Sequence, residues 1–185
     1  MNQAKLKALT EDEYLALEAQ SAVRHELVGG CVYAMAGASV RHNRIALNLA
    51  TRLNIATQDS ECQVFISDIK LRADAFPTYY YPDVMLVCDP SDDDPLVKTR
   101  PCLLAEILSP STEAIDRREK LVAYQRLPGL REYLLLSQDA PRIEIYRRRG
   151  LNEWLLETLD ADDVLRLECL PVEVPVAELY RGLLD

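Results

Sequence analysis

The sequence predicts a three-layer α/β/α domain built on an α-β-β-β-α-β core with a mixed sheet. Three observations predict it. A helix-period apolar stripe over 39–56 precedes a block of apolar, strand-like segments. A second helical segment opens at Thr112. A further apolar strand, Arg131 to Leu136, follows that helix. Helices before and after a block of strands, with a strand returning after the second, cover both faces of one sheet. The core spans about residues 39–138 of a single domain, 1–185. A helix plus hairpin precedes it, and a β extension follows it.

In chain order, Thr10 caps a short helix to Glu18, with Glu11, Asp12 and Glu13 in its first turn. Arg24 to Met35 reads as a hairpin turning at Gly29-Gly30. Ser39 caps a helix to about Ala56, with Ile45, Leu49, Leu53 and Ala56 on one stripe and His42 turned to the same inward face. Cys62 to Ala73 alternates as one strand, with Asp68 and Lys70 on one side of it. Tyr79 to Cys88 is the second strand, with Asp83 on the face of Tyr81, Met85 and Val87. The run Tyr79-Tyr80-Tyr81 reads as core packing. An acidic loop follows, and then Cys102 to Leu108, almost wholly apolar as a central buried strand is. Pro110 ends it. Thr112 and Glu113 open a helix to about Leu127, stopped by Pro128-Gly129. After the strand Arg131 to Leu136, Arg142–Arg149 and Glu153–Thr158 form a hairpin through Gly150. A short strand at Val164–Leu167 and a helical turn after Pro175 close the chain.

Thirty acidic and 21 basic residues give a net charge of −9, so the chain as a whole repels polyanions. That argues against a protein that coats nucleic acid, although a local basic groove or a bound cation can reverse the field at one site. The candidate basic elements are Arg147-Arg148-Arg149, Arg117-Arg118, and Arg41 with Arg44 and Arg52; each is read as a solvated face. The five cysteines, an odd number without a CxxC pair, argue against structural zinc and read as buried free thiols of a reducing cytosol. No stretch approaches the ~20 apolar residues of a membrane span. The N-terminus MNQAKLKALT lacks the apolar segment of a signal peptide, so a cytoplasmic protein without membrane contact is expected.

Two acids stand where a lone charge is costly: Asp83 in YYYPDVMLVCD and Glu106 in PCLLAEILSP. An unpartnered buried carboxylate costs several kcal/mol or more. If the two strands are neighbours, these side chains sit about 5 Å apart at Cβ and can share one hard cation, Mg2+ or Mn2+. Asp116 and Lys120, four apart, share a helix face from which Lys120 can reach back over the Glu106 strand. A lysine there orients or deprotonates water, or neutralises charge on a phosphate.

The arrangement resembles the PD-(D/E)xK nuclease superfamily, with Pro82-Asp83 on the second core strand and Glu106 on the third. The segments RHELVGGCVYAMAGAS, RHNRIALNL, ISDIKLRA, YYYPDVMLVC and LLAEILSPSTEAIDRREKLVAYQRLPGLREYLLLSQDAPRIEIYRR resemble the Uma-type restriction endonuclease family, a bacterial branch of that superfamily, over roughly residues 10–180. The resemblance implies a restriction-endonuclease-like fold and a divalent-metal-dependent endonuclease, most readily of DNA. It implies that Asp83, Glu106 and the Ile107 carbonyl hold the metal, that Glu26 is the upstream acid of the site, and that the protein is a homodimer. Leu108 stands where the superfamily carries its lysine. The charge is then supplied by Lys120 or, as the competing donor, by Lys70, two residues from Asp68. Gly30-Cys31 also departs from an expected Gly-Glu. His42, Asp68, Lys70 and Asp116 are auxiliary candidates. Hydrolysis of RNA or of a nucleotide stays open. So does a catalytically silent binding or assembly module, in which the same acids form a structural ion-pair network.

Overall fold

The computed structural model describes residues 8–35, 37–74 and 77–183. Most of the N-terminal stretch read above for a signal peptide, residues 1–7, lies outside them. Helix α1 (Glu11–Glu18) starts with a full capping box: the Glu13 amide donates to Thr10 Oγ1 at 3.3 Å, and the Thr10 amide to Glu13 at 2.9 Å. Strands β1 (His25–Val28) and β2 (Cys31–Ala34) pair antiparallel across Gly29 and Gly30. Their φ values of +58° and +81° form a turn that other residues resist. Helix α2 (Val40–Ala56) is capped by Ser39 and buries Ile45, Leu49 and Leu53.

Strands β3 (Gln63–Ile66), β4 (Lys70–Asp74), β5 (Thr78–Tyr80), β6 (Val84–Val87), β7 (Val97–Lys98) and β8 (Pro101–Ile107) follow. A helical stretch comes next: α3 (Glu113–Ile115), a π-helical segment (Asp116–Lys120) and α4 (Leu121–Gln125). Then come β9 (Glu132–Leu136), β10 (Ile143–Arg148), β11 (Trp154–Leu159), β12 (Val164–Arg166), β13 (Glu173–Pro175) and α5 (Val176–Leu179).

The central sheet runs β11-β10-β9-β8-β6-β3. Its neighbours are antiparallel except β8 and β9, which are parallel and joined by the helical stretch, as a parallel pair requires. Within this sheet the order is α2, β3, β6, β8, helix, β9, the predicted core. One face packs Val84, Leu86, Leu103, Ala105 and Leu134 against α2 and the C-terminal Leu165, Val174 and Leu179. The other packs Met85, Leu104 and Leu135 against Tyr124 and Leu127 of the helical stretch and Leu71 and Tyr80 of a second sheet. That sheet, ordered β2-β1-β5-β4-β7, joins the helical stretch as the third layer.

The structure corrects two predicted strands. Cys62–Ala73 is not one strand but β3 and β4, and Tyr79–Cys88 is β5 and β6; in each case the halves lie in different sheets. The chain leaves the central sheet at Ser67, held at φ 42°, and returns through Tyr81-Pro82-Asp83. The Ser67 amide donates to the Pro82 carbonyl at 3.1 Å, closing the neck of this excursion. Asp83 therefore stands in a bend just before β6 rather than inside a strand. Apolar alternation runs through both breaks because each half is buried in its own layer. The predicted helix to Leu127 ends at Gln125 and carries the π-helical turn in its middle. All three tyrosines 79–81 are buried, as core packing requires.

The reading of five free thiols is also corrected. Cys62 pairs with Cys88, and Cys102 with Cys169. Register explains the first: Gln63 lies opposite Val87, so Cys62 and Cys88 are the next facing positions. A sequence separation of 26 or 67 residues carries no such information. Cys31 alone is free, and it is exposed rather than buried. Among the described residues no helix is long and apolar enough to cross a membrane.

Denatured without reductant, the protein should titrate one thiol, and five after reduction. Each bridge should contribute about 2–4 kcal/mol to unfolding. Five thiols before reduction would remove both bridges from the fold.

Candidate active site

The β6–β8 ladder ends with Val84 opposite Ala105, so the backbones of Asp83 and Glu106 come next to that end. Asp83 lies where the two sheets part, free of the pleat that would fix its direction. Its Oδ2 accepts from the Ile107 amide at 2.8 Å and lies 3.0 Å from His42 Nε2. His42 comes from the first turn of α2, turned inward as its place on the stripe predicts.

Glu106 points to the opposite layer. Its Oε1 accepts from Lys120 Nζ at 3.1 Å and from the Tyr124 hydroxyl at 2.8 Å. Lys120 Nζ also lies 3.2 Å from Glu26 and 3.3 Å from Asp116. Asp116 Oδ1 is sealed from solvent, and its contact with Lys120 is an ion pair without hydrogen-bond alignment. The wide winding of the π segment turns Asp116 and Lys120 both inward, and the Tyr133 hydroxyl donates to the Asp116 carbonyl at 3.1 Å. Tyr80 and Tyr124 meet edge to face at 5.4 Å, as do Tyr124 and Tyr133 at 5.1 Å, forming an aromatic wall beneath the charges.

The structure brings Asp83, Glu106, Glu26, Lys120, Asp116 and His42 together and leaves two predicted residues out. Asp68 is exposed and pairs with Arg24 at 2.7 Å. Lys70 lies over the Tyr81 ring at 5.7 Å, so the lysine on Glu106 is Lys120. The break after β3 is the reason, because it leaves Asp68 in the connecting bend and carries Lys70 into the second sheet. Tyr124 and Tyr133 escaped the sequence reading. Tyr124 stands four residues after Lys120, a spacing that could have flagged it; Tyr133 carries no such signal.

The electrostatics are lopsided: three carboxylates touch one ammonium, and Asp83 adds to its field. Burial holds the Glu106 carboxyl well above its ordinary 4.5, with Asp116, Asp83 and Glu26 adding to the effect and Lys120 opposing it. For Lys120, burial works against the charge, but the field of Glu106, Glu26, Asp116 and Asp83 prevails and holds the amine well above 10.5. Burial likewise raises Asp116 above 3.8 and keeps the Tyr124 hydroxyl protonated as a donor to Glu106. Asp83 Oδ1 and Glu106 Oε2 accept no hydrogen bond among the described residues. Hard oxygen donors with a surplus of negative charge fit a divalent cation whose remaining positions are filled by water. Among the described residues, no three acidic, His or Cys side chains already converge as a ligand set.

Residues 11–177 match the Uma2 family, described as "Putative restriction endonuclease". The chain belongs to this family. Two Synechocystis proteins, both described only as uncharacterized, are similar to this Uma2-family chain. One is 36% identical over 97% of this chain and 95% of its own length; the other is 37% identical over 84% and 90%. A crystal structure from Anabaena variabilis, described as a "putative nuclease belonging to DUF820", superimposes with a TM-score of 0.79. It covers 95% of this chain and 99% of that one at 16% identity, a likeness that shows the two share a fold.

Replacing Lys120 by Met should leave the buried Glu106 and Asp116 and the half-buried Glu26 without their cation and cost about 3–5 kcal/mol at pH 7 in urea unfolding. The raised carboxyls fix the sign. Their protonated forms are favoured in the folded state, so stability is lost as pH rises through their folded pKa values. Without the ammonium that loss steepens, and the deficit of Lys120→Met should be smaller at pH 5 than at pH 7. A deficit independent of pH would mean that Lys120 acts through packing alone.

Proposed function

We propose that the protein is a divalent-metal-dependent endonuclease hydrolysing phosphodiester bonds in DNA. The observation that supports this reading is that Asp83 stands near enough to Glu106 for its charge to help raise that carboxyl, in a cluster where carboxylates outnumber cations. Asp83, Glu106 and the Ile107 carbonyl would hold Mg2+ or Mn2+. When bound, the ion supplies Lewis-acid stabilisation of the phosphate and a more acidic water.

The chain's own residues supply the rest. The Ile107 amide and His42 fix Asp83, while Tyr124 and Lys120 fix Glu106. Because its neighbours hold Lys120 protonated, its part is to orient water and offset charge developing on the phosphate rather than to take a proton. Glu26 and Asp116 position that ammonium. Asp68 and Lys70 have no part in it.

One observation favours a second reading. Lys120 already has three carboxylate contacts, as a structural ion-pair network in a catalytically silent binding or assembly module would have. Cleavage and metal titration separate the two. Purified protein should nick supercoiled DNA with Mg2+ or Mn2+, and Asp83→Ala should lower the rate by about two orders of magnitude or more. Calorimetry should show Mn2+ binding to the wild type and its loss in Asp83→Ala. Equal nicking by both proteins would sink the nuclease reading, and no Mn2+ binding by the wild type would favour the silent module.

A further inference from the structure

Of the three basic elements in the sequence, one is consumed inside the fold and a second, Arg117-Arg118, keeps only the exposed Arg118 free of an acid among the described residues. Arg147 is buried against Glu132 and Glu157, Arg148 donates to the carbonyls of Gln125, Leu127, Leu130 and Leu151, and Arg149 pairs with Glu168. Arg117 is held by Glu113 and Glu144. The third element, on α2, is different. This 17-residue helix contains Arg41, Arg44 and Arg52 and no acid, in a chain with 30 acids. At about 100° per residue the three arginines fall within an arc of about 80°.

Arg41 and Arg44 have no acid partner among the described residues, and Arg41 Nε is buried without an acceptor. The one acid beside the stripe, Glu178, is already taken by Arg52 and Arg181. Between α2 and the C-terminal segment lies a groove of about 600 Å3 whose lining includes Arg44, Asn48, Arg52 and Arg181 together with Glu178. The stripe begins beside His42, which touches Asp83. From Arg41 to Arg52 it runs about 16 Å, the reach of two to three backbone phosphates at about 6–7 Å each. The two sides of the site thus differ in sign: carboxylates on the Lys120 side, and on the α2 side three helix arginines plus Arg181 against the single acid Glu178.

We infer that Arg41, Arg44 and Arg52 form the track along which the phosphate backbone of duplex DNA approaches Asp83 and Glu106. The inference rests on the nuclease reading above. It assigns the DNA to the α2 flank, with the Arg41 guanidinium beside the phosphate nearest the site. Arg44 and Arg52 contact the phosphates beyond. None of these arginines is part of the hydrolytic machinery.

The test is binding of a fluorescent DNA duplex in EDTA, followed by anisotropy between 50 and 200 mM salt. Arg44 is exposed, so Arg44→Glu should fold normally. It should weaken binding about ten-fold or more and flatten the slope of log K against log salt by about 1. Arg41→Ala should flatten it similarly, whereas Arg166→Glu, an exposed charge change on β12, should alter neither quantity. If wild type binds and Arg44→Glu and Arg41→Ala match Arg166→Glu, the track is elsewhere, while the nuclease reading survives on its own nicking test. If wild type binds no duplex even at 50 mM salt, the DNA reading and the track fail together. Displacement of the duplex by polyglutamate at equal charge would assign the groove to acidic protein segments and overturn the proposal.

Discussion

Lys120 places one nearly buried ammonium within 3.3 Å of Glu106, Glu26 and Asp116, with Asp83 close enough to add to its field. At an effective dielectric of about 20, each contact near 3.2 Å gains about 5 kcal/mol, against several kcal/mol to desolvate each ion. No pair in the cluster would stand alone at that balance; the lysine is stable because several acids share it. That dependence accounts for much of the architecture. A π turn brings Asp116 and Lys120 to one side, the β1–β2 hairpin delivers Glu26, and a tyrosine wall keeps water away from Glu106. The remaining negative surplus gives the site its appetite for a cation.

The second constraint is the parting of the two sheets. The central sheet alone would have carried Asp83 as another strand residue with its side chain fixed by the pleat. The excursion through β4 and β5 puts it in a bend at the neck, where it bonds the Ile107 amide across the ladder and His42 in the α2 layer. One carboxylate thus links the sheet to one helical layer while Glu106 links it to the other. The site lies at the one edge where all three layers meet.

At the opposite end of the sheet the construction is closed. Glu132, fully buried on β9, takes Arg147 together with the amides of Glu168 and Cys169 at 2.9 and 3.0 Å, and the Cys102–Cys169 bridge lies beside them. Both Glu132 oxygens have their donors, so that network anchors the β12–β13 extension. The Glu106 end differs in having more carboxylates than donors. Two buried acid clusters on neighbouring strands therefore serve different ends, one structural and one open to chemistry.

The sequence by itself determined the layered core, the capping of α1 and α2, the two hairpins, and the two acids standing in apolar runs. These are local patterns, a period of 3.6 or 2, a cap or a glycine turn, and the chain writes them within a few residues. It also placed His42 inward and Lys120 on the side of Asp116. Only the tertiary structure decided that Lys120 rather than Lys70 meets Glu106, that Tyr124 and Tyr133 line the site, that four cysteines pair, and that Arg41 and Arg44 stay uncompensated while Arg147 does not. Each of these depends on which distant segments become neighbours. Ser67 shows why: one residue in a left-handed conformation turned Asp68 out of the strand and sent Lys70 to another sheet, without a glycine or proline to announce it.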